Sequence, residues 1–342
     1  MKYLKKSFNK MEPYFSKNIE DGIVLNANES PFNPPQKILD EYFNELKKVN
    51  FNRYPDMTNE DLCKSIAKRF NVSYEEVTCG VGSDELLEVT FKAVLEPNDI
   101  VLSFSPSFSM YEVFADLALA KFIPVSFNED LTFNTDEMLA KIKEYNPKLV
   151  LICTPNNPTG QVIKRNDIIR IVESTNALVL LDLAYIDFSD DDYTDIAKKY
   201  SNVIAFRTFS KAMSLPSIRC GYAISCKDNI DMINAVKAPY SLSIPSQILA
   251  RIATDNFELY KDNIALLKSE RDRVINELNN AGFNVYPSGA NFIYLYLDSK
   301  INDDLVNNKI YIRHFKNGYS RITIGSPNEN NELLRVVLKY AK

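Results

Sequence analysis

Four short stretches carry side chains whose types and spacing suit chemistry on an amine and a bound anion. The first is Gly80-Val81-Gly82-Ser83-Asp84-Glu85. Its two glycines allow a tight turn. Ser83 or Asp84 can cap a following helix, whose free N–H groups then form an anion site; a plain strand-to-helix turn uses the same residues. The second is Thr154-Pro155-Asn156-Asn157-Pro158-Thr159-Gly160. Two prolines fix the loop around two asparagines, and a rigid Asn amide can donate to a ligand oxygen. The third is Asp182-Leu183-Ala184-Tyr185, which follows an apolar run at 178–181. A carboxylate there is costly unless a cation pairs with it, and a helix N-cap is its other use. The fourth is Arg207-Thr208-Phe209-Ser210-Lys211, with Arg219 eight residues on. A lysine just past a buried strand loses its proton readily when desolvated or near a cation, which frees the amine for Schiff-base chemistry.

These stretches need a scaffold that brings them together. Helices are expected over 35–48 and 59–70. Short apolar runs then alternate with helical segments: strands at 77–79, 99–103, 148–153, 177–181 and 203–206, and helices at 84–95, 109–120 and 165–174. This alternation predicts an α/β fold, a large domain whose mostly parallel sheet is covered by helices on both faces. The tail differs, with a long charged helix at 257–280, strands at 292–297 and 321–324, and a last helix from residue 330. It predicts a smaller α+β domain, joined by the N-terminal segment. The expected division is 34–240 for the large domain, and 1–33 with 241–342 for the small one. In open α/β sheets ligands bind beyond the carboxyl ends of the strands, and the four stretches fall there in chain order.

Composition narrows the function. A chain of 342 residues suits two domains and needs no disulfide or metal staple. The net charge of −5 argues against a nucleic-acid or anionic-membrane surface. No apolar run is long enough to span a membrane, and the basic N-terminus has no apolar segment of the signal-peptide kind, so a cytoplasmic protein is expected. The five cysteines form no C-x-x-C pair and read as buried free thiols. The single histidine, His314, reads as a loop residue, and no metal site is expected.

Taken together, the residues resemble the fold-type I pyridoxal phosphate (PLP) enzymes of the class I/II aminotransferase superfamily, and most closely the histidinol-phosphate aminotransferases. The resemblance rests on Leu25-Asn26-Ala27-Asn28-Glu29, Arg53-Tyr54-Pro55, Gly82-Ser83-Asp84-Glu85, Pro155-Asn156-Asn157-Pro158-Thr159-Gly160, Ala184-Tyr185-Ile186-Asp187-Phe188, Arg207-Thr208-Phe209-Ser210-Lys211 and Arg321-Ile322-Thr323-Ile324-Gly325. It spans nearly the whole chain.

The resemblance implies a role for each residue. Lys211 would hold PLP as a Schiff base and later move a proton at the substrate Cα. Asp182 would pair with the pyridine nitrogen, making the ring an electron sink. Asn157 and Tyr185 would bind the phenolic oxygen. Phe108 would stack on one ring face and Ala184 on the other. Backbone N–H groups of Ser83 and Asp84, the Ser210 hydroxyl and Arg219 would hold the phosphate. Tyr54 would reach the phosphate of a neighbouring subunit, which implies a homodimer. Arg321 and Arg313 would bind substrate anions, and Tyr14 the substrate phosphate. Asn28 and Glu29 lie in the segment that closes over the site. A surface ion pair is the other use of Arg313, and packing the other use of Tyr14.

Two departures stand out. Leu183 occupies the position of a family glutamate, and Met213-Ser214-Leu215-Pro216-Ser217-Ile218 replaces a glycine-rich stretch. The spacing to Arg219 is kept, so the phosphate contact is expected to survive. The implied reaction is transamination of L-histidinol phosphate with 2-oxoglutarate. Decarboxylation of a phosphorylated amino acid, and transamination of another phosphorylated amine or an aromatic amino acid, use the same motifs. A PLP-binding regulator would add a basic helix-turn-helix extension. A nicotinamide dehydrogenase would show G-x-G-x-x-G after its first strand.

Overall fold

The computed structural model describes residues 21–341 together with Tyr3, Lys5, Phe8 and Ile19. Among them eleven strands build two sheets. After β1 (Ile23–Leu25), strands β2 (Val77–Gly80), β3 (Ile100–Ser105), β4 (Lys121–Ser126), β5 (Leu149–Cys153), β6 (Leu178–Asp182), β7 (Val203–Thr208) and β8 (Gly221–Ile224) follow. Strands β2 to β8 form the larger sheet, in the order β2-β8-β7-β6-β5-β3-β4. β9 (Phe292–Tyr296), β10 (Ile310–His314) and β11 (Tyr319–Thr323) join β1 in a second sheet ordered β1-β10-β11-β9.

The helices in chain order are α1 (Gln36–Leu46), α2 (Glu60–Phe70), α3 (Gly82–Val94), α4 (Met110–Leu117), α5 (Thr135–Tyr145) and α6 (Arg165–Glu173). They continue with α7 (Thr194–Lys199), α8 (Lys227–Val236), α9 (Ile244–Asp255), α10 (Lys261–Asn280), α11 (Ser299–Asn307) and α12 (Pro327–Val337).

In the larger sheet only β8 runs antiparallel to its neighbours, so the fold is the expected mostly parallel α/β sheet. The reason is visible in β5 and β6. Val150, Ile152, Val179 and Leu181 pack into one apolar cluster. Leu149, Leu151 and Leu180 pack into another. Successive side chains of a strand point to opposite faces, so an unbroken apolar run means that helices cover both faces.

Four strands were not expected from the sequence: β1, β4, β8 and β10. β1 pairs in parallel with β10, Ile23 opposite Ile310, so a stretch that reads as irregular becomes a strand on meeting the far end of the chain. The charged helix is also shorter than expected. It begins at Lys261, after a tight turn at Phe257–Tyr260.

The consequence for function lies at the carboxyl ends of β5, β6 and β7. Cys153 is in register with Asp182, and Asp182 with Phe206. The loops that follow therefore emerge side by side. Because β8 returns antiparallel to β7, the loop carrying Lys211 and Arg219 is folded back over the sheet end, next to the start of α3.

Candidate active site

One wall of the cleft is the start of α3. The helix begins at Gly82, two residues before the expected start, and neither Ser83 nor Asp84 caps it. Gly82, with φ +79°, turns the chain into the helix, and Val81 stands at the cap position without a side-chain bond. Glu85 Oε2 accepts from the Val81 N–H at 2.5 Å. The N–H groups of the first turn stay open to an anion.

Gly221 explains how the wall closes. A Cβ there would lie 2.2 Å from the Ser83 nitrogen, so only glycine lets β8 pass this close to the helix end. Arg219 completes the wall. A Cβ on Gly82 would come within 3.0 Å of its guanidinium, and Asp84 lies 3.6 Å from it across a half-exposed pair. Ser210 is buried next in line, its N–H donating to Thr208 Oγ1 at 3.1 Å. Two or more N–H groups, a hydroxyl and an arginine suit a dianion.

The floor has a different character. Asp182 is only 6% exposed. Its Oδ2 accepts from the Tyr111 hydroxyl at 2.6 Å and its Oδ1 from the Ala184 N–H at 3.1 Å. Among the described residues no cation pairs with it. Burial pushes its pKa up to about 6, against the pull of those two donors. A buried carboxylate in this state favours a cationic ligand group. Phe108 stands edge-on to Tyr111, ring centroids 5.5 Å apart. Its loop is tied to the neighbouring one by Asn156, which accepts from Ser107 Oγ at 2.7 Å and donates to the Pro106 carbonyl at 3.0 Å. Of the two adjacent asparagines, Asn156 thus holds loops together, while Asn157 faces Arg321.

The amine lies between wall and floor. Lys211 Nζ donates to the Ala27 carbonyl at 2.9 Å and sits 5.8 Å from the Tyr185 ring centroid. Burial, then Arg321, lowers its pKa to about 8, with Glu29 and Asp84 opposing and Arg219 assisting. Tyr185 is buried edge-on to Phe292, and its hydroxyl accepts from Asn28 Nδ2 at 3.0 Å, which leaves its own proton to give. Burial pushes the Tyr185 pKa up, so the phenol stays protonated.

Arg321 donates to Asn157 Oδ1 at 2.7 Å and to the Asn26 carbonyl at 2.6 Å. The Asn157 amide nitrogen is left for another acceptor. Arg313 is directly opposite Arg321 in the β10–β11 ladder, hence on the same face of that sheet. It is exposed, stands over Phe315, and among the described residues makes no ion pair.

The structure therefore brings Ser83, Asp84, Asn157, Asp182, Tyr185, Ser210, Lys211, Arg219, Asn28 and Arg321 near one another at the ends of the sheet strands. Tyr54 is not part of this group: 80% exposed, it stacks on Tyr240 with centroids 4.7 Å apart. Tyr14 lies outside the described residues. His314 is on β10 rather than in a loop and shares a hydrogen bond with Ser320. Leu183 is fully buried in the apolar layer beneath the sheet, which explains a leucine there. Tyr111 was missed from sequence, since it reads as the apolar face of a helix.

The donor set fits PLP group by group. An uncapped helix end with Arg219 suits the phosphate, a buried carboxylate without a cation partner among the described residues suits a pyridinium, and a lysine of lowered pKa suits the aldehyde. Comparison with known proteins agrees in fold. The model of the aminotransferase class I and II family matches residues 20–337. Histidinol-phosphate aminotransferase from Caldanaerobacter subterraneus subsp. tengcongensis is 34% identical, over 98% of this chain and 97% of that protein. The crystal structure of histidinol-phosphate aminotransferase from Sinorhizobium meliloti in complex with pyridoxal-5'-phosphate superposes with a TM-score of 0.90, at 21% identity, over 99% of this chain and 97% of that one. The structure of histidinol-phosphate aminotransferase from Clostridium acetobutylicum gives 0.85, at 25% identity, over 93% of this chain and 98% of that one. The chain belongs to the class I and II aminotransferase family.

Proposed function

We propose that this chain is a PLP-dependent aminotransferase that takes the amino group of L-histidinol phosphate and passes it to 2-oxoglutarate in two half-reactions. One observation carries the reading: the half-buried Lys211 amine, with a pKa near 8, lies between an anion cradle and a buried carboxylate that no cation pairs with among the described residues. Relatives that match across the whole chain bear the histidinol-phosphate name, which supports the substrate.

PLP, when bound, supplies an electron sink for negative charge at the substrate Cα. The chain's residues do the rest. Asp182 would hold a proton on the pyridine nitrogen, and Tyr185 and Asn157 would donate to the phenolic oxygen. Ser83, Asp84, Ser210 and Arg219 would hold the phosphate, and Phe108 and Ala184 would bind the ring. Lys211, neutral in a sizeable fraction near pH 8, moves a proton at the substrate Cα. Arg321, with Arg313 beside it, takes substrate anions; Tyr14 takes the substrate phosphate; Asn28 and Glu29 belong to the closing segment.

Tyr54, exposed on its own subunit, is proposed to complete the cradle of a second copy in a homodimer. The division at 34–240 against 1–33 with 241–342 stays a proposal, supported by the two separate sheets. Among the described residues no helix is long and apolar enough to cross a membrane, and a cytoplasmic location is part of the same proposal.

The test is to add L-histidinol phosphate, phosphoserine, phosphothreonine and aromatic amino acids in turn to the PLP-loaded protein. Loss of the visible cofactor band with L-histidinol phosphate, restored by 2-oxoglutarate, is expected. Release of carbon dioxide from a phosphorylated amino acid overturns the transaminase reading.

A further inference from the structure

We propose that Tyr111 is a positioning residue that sets the proton affinity and the aim of Asp182, and couples both to the ring-stacking Phe108. The inference deepens the proposed role of Asp182 and rests on it. Tyr111 lies in the first turn of α4, just past the carboxyl end of β3, and is fully buried. Its hydroxyl donates to Asp182 Oδ2 at 2.6 Å, and the Ala184 N–H takes Oδ1. Two donors on different oxygens fix the carboxylate plane. The same tyrosine ring meets Phe108 edge-on, with an interplanar angle of 87°. One side chain thus touches both the group assigned to the pyridine nitrogen and the group assigned to the ring face.

The surroundings make Tyr111 a permanent donor. Burial and the neighbouring Asp182 push its phenol pKa far up, so it does not ionise in the working range. Cys153 faces the pair from the end of β5, with its thiol pKa also raised by burial. Asp84 faces it from the first turn of α3, and Tyr185 from the loop after β6. These neighbours are acids, so ionising any of them would disfavour the Asp182 carboxylate. Among the described residues, the Tyr111 hydroxyl is the one side chain that stabilises it by a hydrogen bond. Without that bond the carboxylate takes up its proton at higher pH and can no longer hold one on a pyridine nitrogen.

Tyr111→Phe is the informative variant, because it keeps the ring against Phe108 and removes only the hydroxyl. The apoprotein is titrated with a ¹³C label on aspartate carboxyl carbons, Asp182 being assigned from the Asp182→Asn spectrum. The Asp182 midpoint is expected to rise by about one pH unit or more in Tyr111→Phe. PLP affinity near neutral pH is expected to fall about tenfold. In the Asp182→Asn background the same substitution is expected to leave affinity unchanged. An unmoved Asp182 midpoint overturns the proposal. So does an equal loss of affinity in the Asp182→Asn background, the mark of a structural role alone. If Asp182→Asn leaves PLP affinity intact, the assignment of Asp182 fails instead, while the apoprotein titration still decides the coupling to Tyr111. Should Tyr111→Phe melt early, the double-variant comparison at a lower temperature still reads the pair.

Discussion

The two walls of the cleft are built on opposite principles. The floor at Asp182 and Tyr111 is buried, and its charge lacks a cationic partner among the described residues. The cradle sets a buried Ser83 beside the half-exposed Asp84 and Arg219, whose charges already pair across 3.6 Å. A ligand that docks on the floor supplies a missing charge in a desolvated place, where each interaction is strong. One that docks on the cradle displaces Asp84 from an existing, screened pair, worth little in itself. The floor can therefore govern reactivity, and the cradle mainly affinity.

Lys211 lies between the two, so removing it sharpens the comparison most. Lys211→Ala takes away the amine and touches neither wall. Turnover is expected to fall by about 10⁴-fold, the scale of a lost acid–base and covalent group. PLP is still expected to bind without a covalent link. A variant that also loses all PLP binding would mean that the walls hold nothing on their own.

Asp182→Asn comes next. On the proposed role of Asp182, turnover is expected to drop by about 10²- to 10³-fold, because the ring would lose the charge that keeps its nitrogen protonated. Stability should move the other way. Asp182 titrates near 6 in the folded chain, against 3.8 for a free aspartate. Between those values the folded chain keeps a proton that the unfolded chain has released. The stability Asp182 contributes is thus present below pH 4 and lost as pH rises through 6. At pH 7 the asparagine variant of the apoprotein is expected to be about 2 kcal/mol more stable, with the gain absent at pH 4. Denaturant titrations at both values check the sign. Equal stability at pH 7 would mean that burial does not penalise the Asp182 carboxylate as its raised pKa requires.

Gly221→Ala tests the cradle. The new Cβ would meet backbone, not a flexible side chain, at 2.2 Å. The end of α3 and β8 must separate, at a cost of about 2 kcal/mol in stability. PLP affinity is expected to fall by about tenfold or more, with little change in turnover at saturating PLP. A fall in turnover with affinity intact would erase the distinction between the two walls.

What the sequence reveals of these walls follows the range of the interactions involved. The cradle, Asp182 and Lys211 lie within a few residues of strong strand and glycine signals, and so were legible. The strands β5 to β7 were legible because both of their faces are apolar. β4 was missed because Pro124 interrupts it, and the strand survives because it lies at the sheet edge, where a missing donor is tolerated. β8 is four residues long, and β1 exists only through β10, nearly three hundred residues away. Tyr111 was hidden for the same reason. Its spacing matches an apolar helix face, and only the meeting of α4 with the end of β6 gives its hydroxyl a carboxylate to serve.

The smallest expected effect bears on why the cradle is so open. Tyr54 projects into solvent beside Tyr240, with Phe51 and Met57 also exposed nearby in sequence. A large aromatic side chain left 80% exposed is informative when neighbouring apolar residues are exposed with it. On the proposed homodimer, the hydroxyl of Tyr54 serves the phosphate in the second copy, and the half-exposed Arg219 is covered only there. Tyr54→Phe keeps the aromatic contact and should leave the fold and the apoprotein's stability unchanged. PLP affinity is expected to fall about threefold, the scale of one modest hydrogen bond. Mixing Tyr54→Phe subunits with Lys211→Ala subunits decides where the hydroxyl acts. If Tyr54 serves the other copy, the mixed dimer places the intact Lys211 beside an intact partner Tyr54, and that site regains wild-type PLP affinity. If the affinity of the Lys211 site stays at the Tyr54→Phe level in the mixture, Tyr54 works within its own chain, and the openness of the cradle needs another cause.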